Sequence, residues 1–118
     1  MKNDSVFLQH ILDSISKIEK YTLSMDFEKF SSNSMAQDAV VRQIEIIGEA
    51  AKNLSDKIKS KEDDIPWRDI VGMRDKLIHH YFGTDSNSVW KTVEEDIPKL
   101  KESVNKILDA EKLRGNLK

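Results

Sequence analysis

The chain has 118 residues, 38% of them hydrophobic and 34% charged, which suits one soluble helical domain over residues 1–118 that buries a core without staples. It has no cysteine, which excludes disulfides, thiolate catalysis and cysteine-based metal sites. The net charge of −2 excludes a protein that coats nucleic acid by neutralising phosphates, so any such contact must be local or use a groove assembled from several chains.

The opening MKNDSVFLQH lacks the apolar core of a signal peptide, and no apolar run approaches the ~20 residues of a membrane span. The expected location is cytoplasmic, with no membrane partner. The first predicted helix runs from about Ser5 to Thr22 with Asp4 as N-cap. Its single stripe is Phe7, Leu8, Ile11, Leu12, Ile15, Ile18 and Thr22, and His10 falls on the polar side. Met25 to Phe30 predicts one short extra turn.

A second long helix is expected from Ser34, where Ser34-Met35-Ala36-Gln37 has the form of a capping box. The stripe Ala36, Val40, Ile44, Ile47, Ala51, Leu54 and Ile58 keeps helical phase, and Met35, Ala39, Ile46 and Ala50 widen it to about half the circumference. So broad an apolar arc predicts a central bundle helix or a dimer interface. Lys59 to Asp64 reads as a solvated connector, Glu62-Asp63-Asp64 included.

Pro66 suits the first turn of a third helix, Trp67 to about Phe82, closed by Gly83. The last helix is expected from about Asn87 to Leu113, with the stripe Val89, Val93, Ile97, Leu100, Val104, Ile107 and Leu108. Pro98 interrupts it without breaking phase, which predicts a kink or a restart capped by Asp96. Trp67 and Trp90 read as core anchors. The lysines and arginine from Lys99 to Lys118 are interspersed with acids and read as a solvated face. The fold class is therefore all-α, an antiparallel four- to five-helix bundle with a kinked last helix.

The chemistry concentrates in Arg74-Asp75-Lys76-Leu77-Ile78-His79-His80-Tyr81. Centred on Ile70, the buried face of this helix holds Trp67, Met73, Leu77, Ile78 and Tyr81, and it also holds Arg74. Arginine is seldom buried unless paired, so Arg74 either meets a carboxylate such as Glu45 or Glu49 or serves a site. Arg and His together suit phosphodiester cleavage. Imidazole exchanges protons near neutral pH, and guanidinium matches phosphate oxygens as negative charge grows on them.

In RNA the 2′-hydroxyl is an internal nucleophile, so such a pair could cut the chain without metal and leave a cyclic phosphate. Asp75 lies four residues before His79 and can orient it. Arg74 and His79 stand about 140° apart on a straight helix, and a helix distorted before Gly83 or a cleft shared by two chains would reunite them. The broad arc of the second helix favours the two-chain arrangement. His80 reads as structural or solvent-facing, although the acting imidazole is not fixed by sequence. Three histidines lack the one-face spacing of helical zinc motifs, so no metal or other cofactor is expected.

Arg-x4-His-x-Tyr, as Arg74, His79 and Tyr81, resembles the signature of the HepT-like toxins of the HEPN ribonuclease superfamily. Ile47-Gly48-Glu49-Ala50 resembles the second-helix motif of that family. Trp67, Tyr81-Phe82-Gly83 and Asp85 resemble its third helix and exit loop, and Asp96-Ile97-Pro98-Lys99-Leu100 resembles its kinked last helix. The resemblance implies a homodimer with the motifs at the shared cleft, metal-independent endoribonuclease activity on an RNA such as tRNA or mRNA, and toxicity. It also implies a minimal nucleotidyltransferase antitoxin that silences the toxin by AMP transfer (AMPylation) to Tyr81. The alternative is a non-catalytic helical scaffold that docks on a nucleotidyltransferase; toxicity on expression separates the two.

Overall fold

The computed structural model describes residues 2–60, Trp67 and residues 86–113. The described residues are helical with no strand, as an all-α bundle requires. Helices are numbered over them: α1 Lys2–Tyr21, α2 Phe27–Ser31, α3 Ser34–Lys52, α4 Asp56–Lys59, α5 Ser86–Lys91 and α6 Ile97–Leu113. A π-helical turn, Thr92–Asp96, joins α5 to α6.

In α1, Leu8, Ile11, Ile15 and Ile18 recur at helical spacing and are almost fully buried. Each such side chain contributes roughly 1.5–3 kcal/mol by leaving water. The facing stripe on α3 is Ala36, Val40, Ile44, Ile47 and Ala51, and α1 against α3 is the most extensive helix pairing among the described residues. On α6, Leu100, Val104 and Ile107 complete the core.

Two polar contacts fix the helix directions. The carboxylate of Asp4, near the start of α1, accepts from Ser55 N at 2.8 Å and Ser55 Oγ at 2.7 Å just beyond the end of α3. Lys101 Nζ, near the start of α6, pairs with Glu19 at 2.9 Å near the end of α1. Both α3 and α6 therefore run antiparallel to α1.

Three local expectations are corrected. Asp4 lies inside α1 rather than capping it, because its carboxylate is used across the fold by Ser55. Helix α3 starts where expected, but Asn33 is its cap, accepting from Ala36 N at 3.0 Å. Gln37 does reach back, yet its Nε2 donates to the carbonyls of Phe30 and Ser31 instead of bonding the cap. The long stripe to Ile58 is not one helix: α3 stops at Lys52, and Ser55 caps the short α4 through Ile58 N. Leu54 and Ile58 stay buried across that break, which is why the periodicity hides it.

The short turn after Met25 is present as α2, entered through Ser24 at φ 64° and capped by Asp26. Phe30 of α2 is fully buried and packs on Trp90 of α5 with ring centroids 5.0 Å apart. Trp67 is buried as expected of a core anchor.

The expected kink at Pro98 takes the form of the π-turn. Ile97 N–H bonds the carbonyl of Thr92, five residues back. Pro98 has no N–H, and its ring would press on the carbonyl four residues earlier in a regular helix, so a widened turn just before it absorbs the mismatch. Asp96 lies within the turn and caps no restart.

Candidate functional site

Arg74, Asp75, His79, His80 and Tyr81 lie outside the described residues, as do Gly83 and the acidic run Glu62-Asp63-Asp64. Trp67 marks the start of their segment, in helical conformation and buried in the core.

The described residues do build one groove, of about 280 Å³, along the outer seam of α1 and α3. From α3 it is lined by Arg42, Glu45, Ile46, Glu49 and Ala50, with Asn53 at the helix end; Phe7 and His10 form the α1 side. The local cause is the angular division of α3. Val40, Ile44, Ile47 and Ala51 point to the core, while Arg42, Glu45, Glu49 and Asn53, at i, i+3, i+7 and i+11, form a polar stripe on the opposite side. Gly48 and Ala51 keep the buried side of α3 thin enough for close helix packing.

Side chains in the groove are differently committed. Asn53 Nδ2 donates to the Glu49 carbonyl at 2.9 Å, closing the helix end and leaving its amide oxygen as acceptor. Phe7 and His10 meet edge-to-face with centroids 6.1 Å apart. Glu49 is engaged by an interaction of its own, whereas Glu45 is half-buried with no partner among the described residues. Beside this face, Gln43 is buried in α3 with its Oε1 unpartnered, and the buried Trp67 Nε1 also lacks an acceptor. Among the described residues no group of His, Cys, Asp and Glu has the clustering that would hold a metal ion.

Glu45 and Glu49, the carboxylates that the sequence offers to Arg74, both line this groove, and Arg42, Asn53 and Phe7, which the sequence pattern gives no site role, line it too. The signal was available: four polar residues in helical phase opposite an apolar stripe. Of the residues that widen the apolar arc, Met35 is 80% exposed, Ala39 and Ile46 are half-buried and Ala50 is buried, so the arc stands open only at its Met35 end.

The family model described as Ribonuclease HepT-like matches residues 11–107, a span that runs from α1 through the groove and the Arg74–Tyr81 segment to α6. The chain belongs to the HepT-like ribonuclease family. A "Probable ribonuclease HepT" of Thermococcus cleftensis is 48% identical over 101 residues, covering 86% of this chain and 92% of the relative. A "Putative RNase" of Caldanaerobacter subterraneus is 41% identical over 112 residues, 95% of this chain and all of the relative.

A third relative, from Methanocaldococcus jannaschii, is named "Gamma-glutamylcyclotransferase and putative RNase". It is 47% identical over 108 residues, 92% of this chain, but the chain spans only about half (49%) of its length. No solved structure matches the chain significantly. Among the described residues, no helix is long and apolar enough to cross a membrane.

Proposed function

We propose that this HepT-like chain is a metal-independent endoribonuclease and the toxin of a two-component system. The observation that carries the reading is the family match across residues 11–107, a span that includes Arg74, His79 and Tyr81, whose spacing resembles the family's signature. The relatives named as ribonucleases, at 41–48% identity over most of the chain, support the same assignment.

In the proposed reaction the 2′-oxygen of RNA attacks the adjacent phosphorus, forming the 2′-O–P bond as the P–O5′ bond breaks. One imidazole takes the 2′-hydroxyl proton and another protonates the departing 5′-oxygen, leaving a 2′,3′-cyclic phosphate. A homodimer supplies two copies of His79 to one cleft, one as base and one as acid, and it removes the need for one helix to point Arg74 and His79 the same way. Arg74 holds the phosphorane-like oxygens as their charge grows. Asp75, four residues before His79 in the sequence, orients that ring, and His80 contacts substrate or solvent beside it.

Tyr81 is the proposed control point. A minimal nucleotidyltransferase antitoxin would let the tyrosyl oxygen attack the α-phosphorus of ATP, forming a tyrosyl–AMP bond and releasing pyrophosphate. The added phosphate charge and bulk would then repel and exclude the RNA backbone. Cytoplasmic location follows from the same proposal, since the RNA and the ATP are there.

The test is direct. Protein purified without the antitoxin should cut RNA in EDTA and leave cyclic phosphate ends, and Arg74→Ala and His79→Ala should each lose at least about a hundredfold in rate. Equal cutting by wild type and both variants would refute the assignment, and activity that vanishes in EDTA would refute its metal independence.

A further inference from the structure

We infer that the α1–α3 groove is a base-reading subsite that takes a guanine of single-stranded RNA on the Glu45 carboxylate. The inference rests on the ribonuclease reading for its substrate class, and on the groove for everything else.

The volume, about 280 Å³, lies just below the ~300 Å³ at which small-molecule pockets begin, so it fits one base with its immediate surroundings better than a whole cofactor. Its acceptors are the Glu45 and Glu49 carboxylates and the Asn53 amide oxygen, and its donors are Arg42 and His10 at the rim. An ionised carboxylate is acceptor-only, and the Asn53 amide already spends its Nδ2 on the Glu49 carbonyl. Glu49 has a commitment of its own, whereas Glu45, half-buried on the same face, has no partner among the described residues. A half-buried carboxylate with both oxygens unused calls for a ligand that brings two donors side by side.

Among the four RNA bases only guanine does so, through N1–H and the N2 amine on its Watson–Crick edge; adenine and cytosine bring a single exocyclic amine, and uracil a single ring N–H. RNA-binding proteins read unstacked bases on that edge and hold them against aromatic rings. Here the ring wall is half-buried Phe7 with exposed His10, edge-to-face at the α1 border. Arg42 is exposed one turn before Glu45, where a guanidinium can meet a flanking phosphate. From Arg42 to Asn53 the stripe rises about 16 Å, enough for two or three nucleotides of extended strand.

The experiment measures fluorescence anisotropy of the full chain with 2′-O-methyl pentanucleotides, whose blocked nucleophile allows binding to be read without cleavage. UUGUU should bind about tenfold more tightly than UUAUU, as a bidentate base contact provides. Inosine at the centre removes the N2 amine and should reduce binding to the adenine level with the protein untouched. Glu45→Gln should erase the guanine preference, and Arg42→Ala should weaken all strands alike.

Equal binding of guanine, inosine and adenine strands, or a guanine preference that survives Glu45→Gln, would overturn the inference. Cleavage of the all-ribose strands is scored separately. Cutting with no guanine preference overturns the subsite alone, whereas a guanine preference without cutting supports the subsite and removes the ribonuclease.

Discussion

The Asp4–Ser55 contact offers the sharpest test of how the fold is held. Asp4 is only 5% exposed, and its carboxylate accepts both the Ser55 amide at 2.8 Å and the Ser55 hydroxyl at 2.7 Å, across 51 residues of sequence. Hydrogen bonds to a charged group are worth about 1.5–3 kcal/mol each, and removing the acceptor also strands a part-buried N–H. The two bonds share one carboxylate and are not additive, so Asp4→Ala should destabilise the protein by about 2–3 kcal/mol.

At roughly 4 °C per kcal/mol for a domain of this size, the midpoint should fall by about 8–12 °C. Thermal melts for the midpoint and urea unfolding for the free energy, both at one fixed protein concentration, are the appropriate assays, because self-association would make apparent stability depend on concentration. Ser55→Ala removes the hydroxyl bond but keeps the amide bond. A double-mutant cycle should therefore return a coupling of about 1 kcal/mol for the 2.7 Å contact. A loss below about 0.5 kcal/mol for Asp4→Ala, or strict additivity with Ser55→Ala, would show that the contact does not tie α1 to the α3–α4 junction.

Two further substitutions test the rest of the frame. Phe30→Ala empties a fully buried site against Trp90 and should cost about 3–5 kcal/mol by denaturant unfolding; a loss under 1 kcal/mol would mean that the α2–α5 contact carries little of the core. Asn33→Ala removes the side-chain acceptor for Ala36 N and should cost about 1 kcal/mol, whereas Ser34→Ala at the cap the sequence suggested should cost almost nothing.

Periodicity carried most of the helical frame. The buried faces of α1, α3 and α6 are the stripes that spacing alone picks out, because burial on one side of a helix demands that spacing. It failed where two explanations share one signature. Leu54 and Ile58 stay in phase with Ile47 and Ala51, so a helix ending at Lys52 looks unbroken; only Asn53 and Ser55, both residues that favour helix ends, mark the junction. Asp4 beside a helix start looks like a cap because local reading cannot see a serine 51 residues away. Met35 is apolar and in phase with the arc's edge, yet exposed, since an arc's width says nothing about what covers its margin.

The candidate site was legible in a different way. The proposed Arg74, His79 and Tyr81 site rests on spacing alone and lies outside the described residues, whereas the groove follows from a polar stripe whose meaning needs the fold. The two are linked by charge. A chain of net charge −2 gains little from phosphate contacts spread over its surface, and its groove sets a single arginine against two glutamates. Carboxylates repel the RNA backbone unless a base edge comes between, so they favour strands whose bases are already unstacked and turned toward the protein. A duplex, with its Watson–Crick edges occupied, could use only the Arg42 contact to phosphate against the repulsion of two carboxylates. On the proposed reading the groove would restrict the nuclease to single-stranded segments, without requiring the Arg74–Tyr81 segment to discriminate at all.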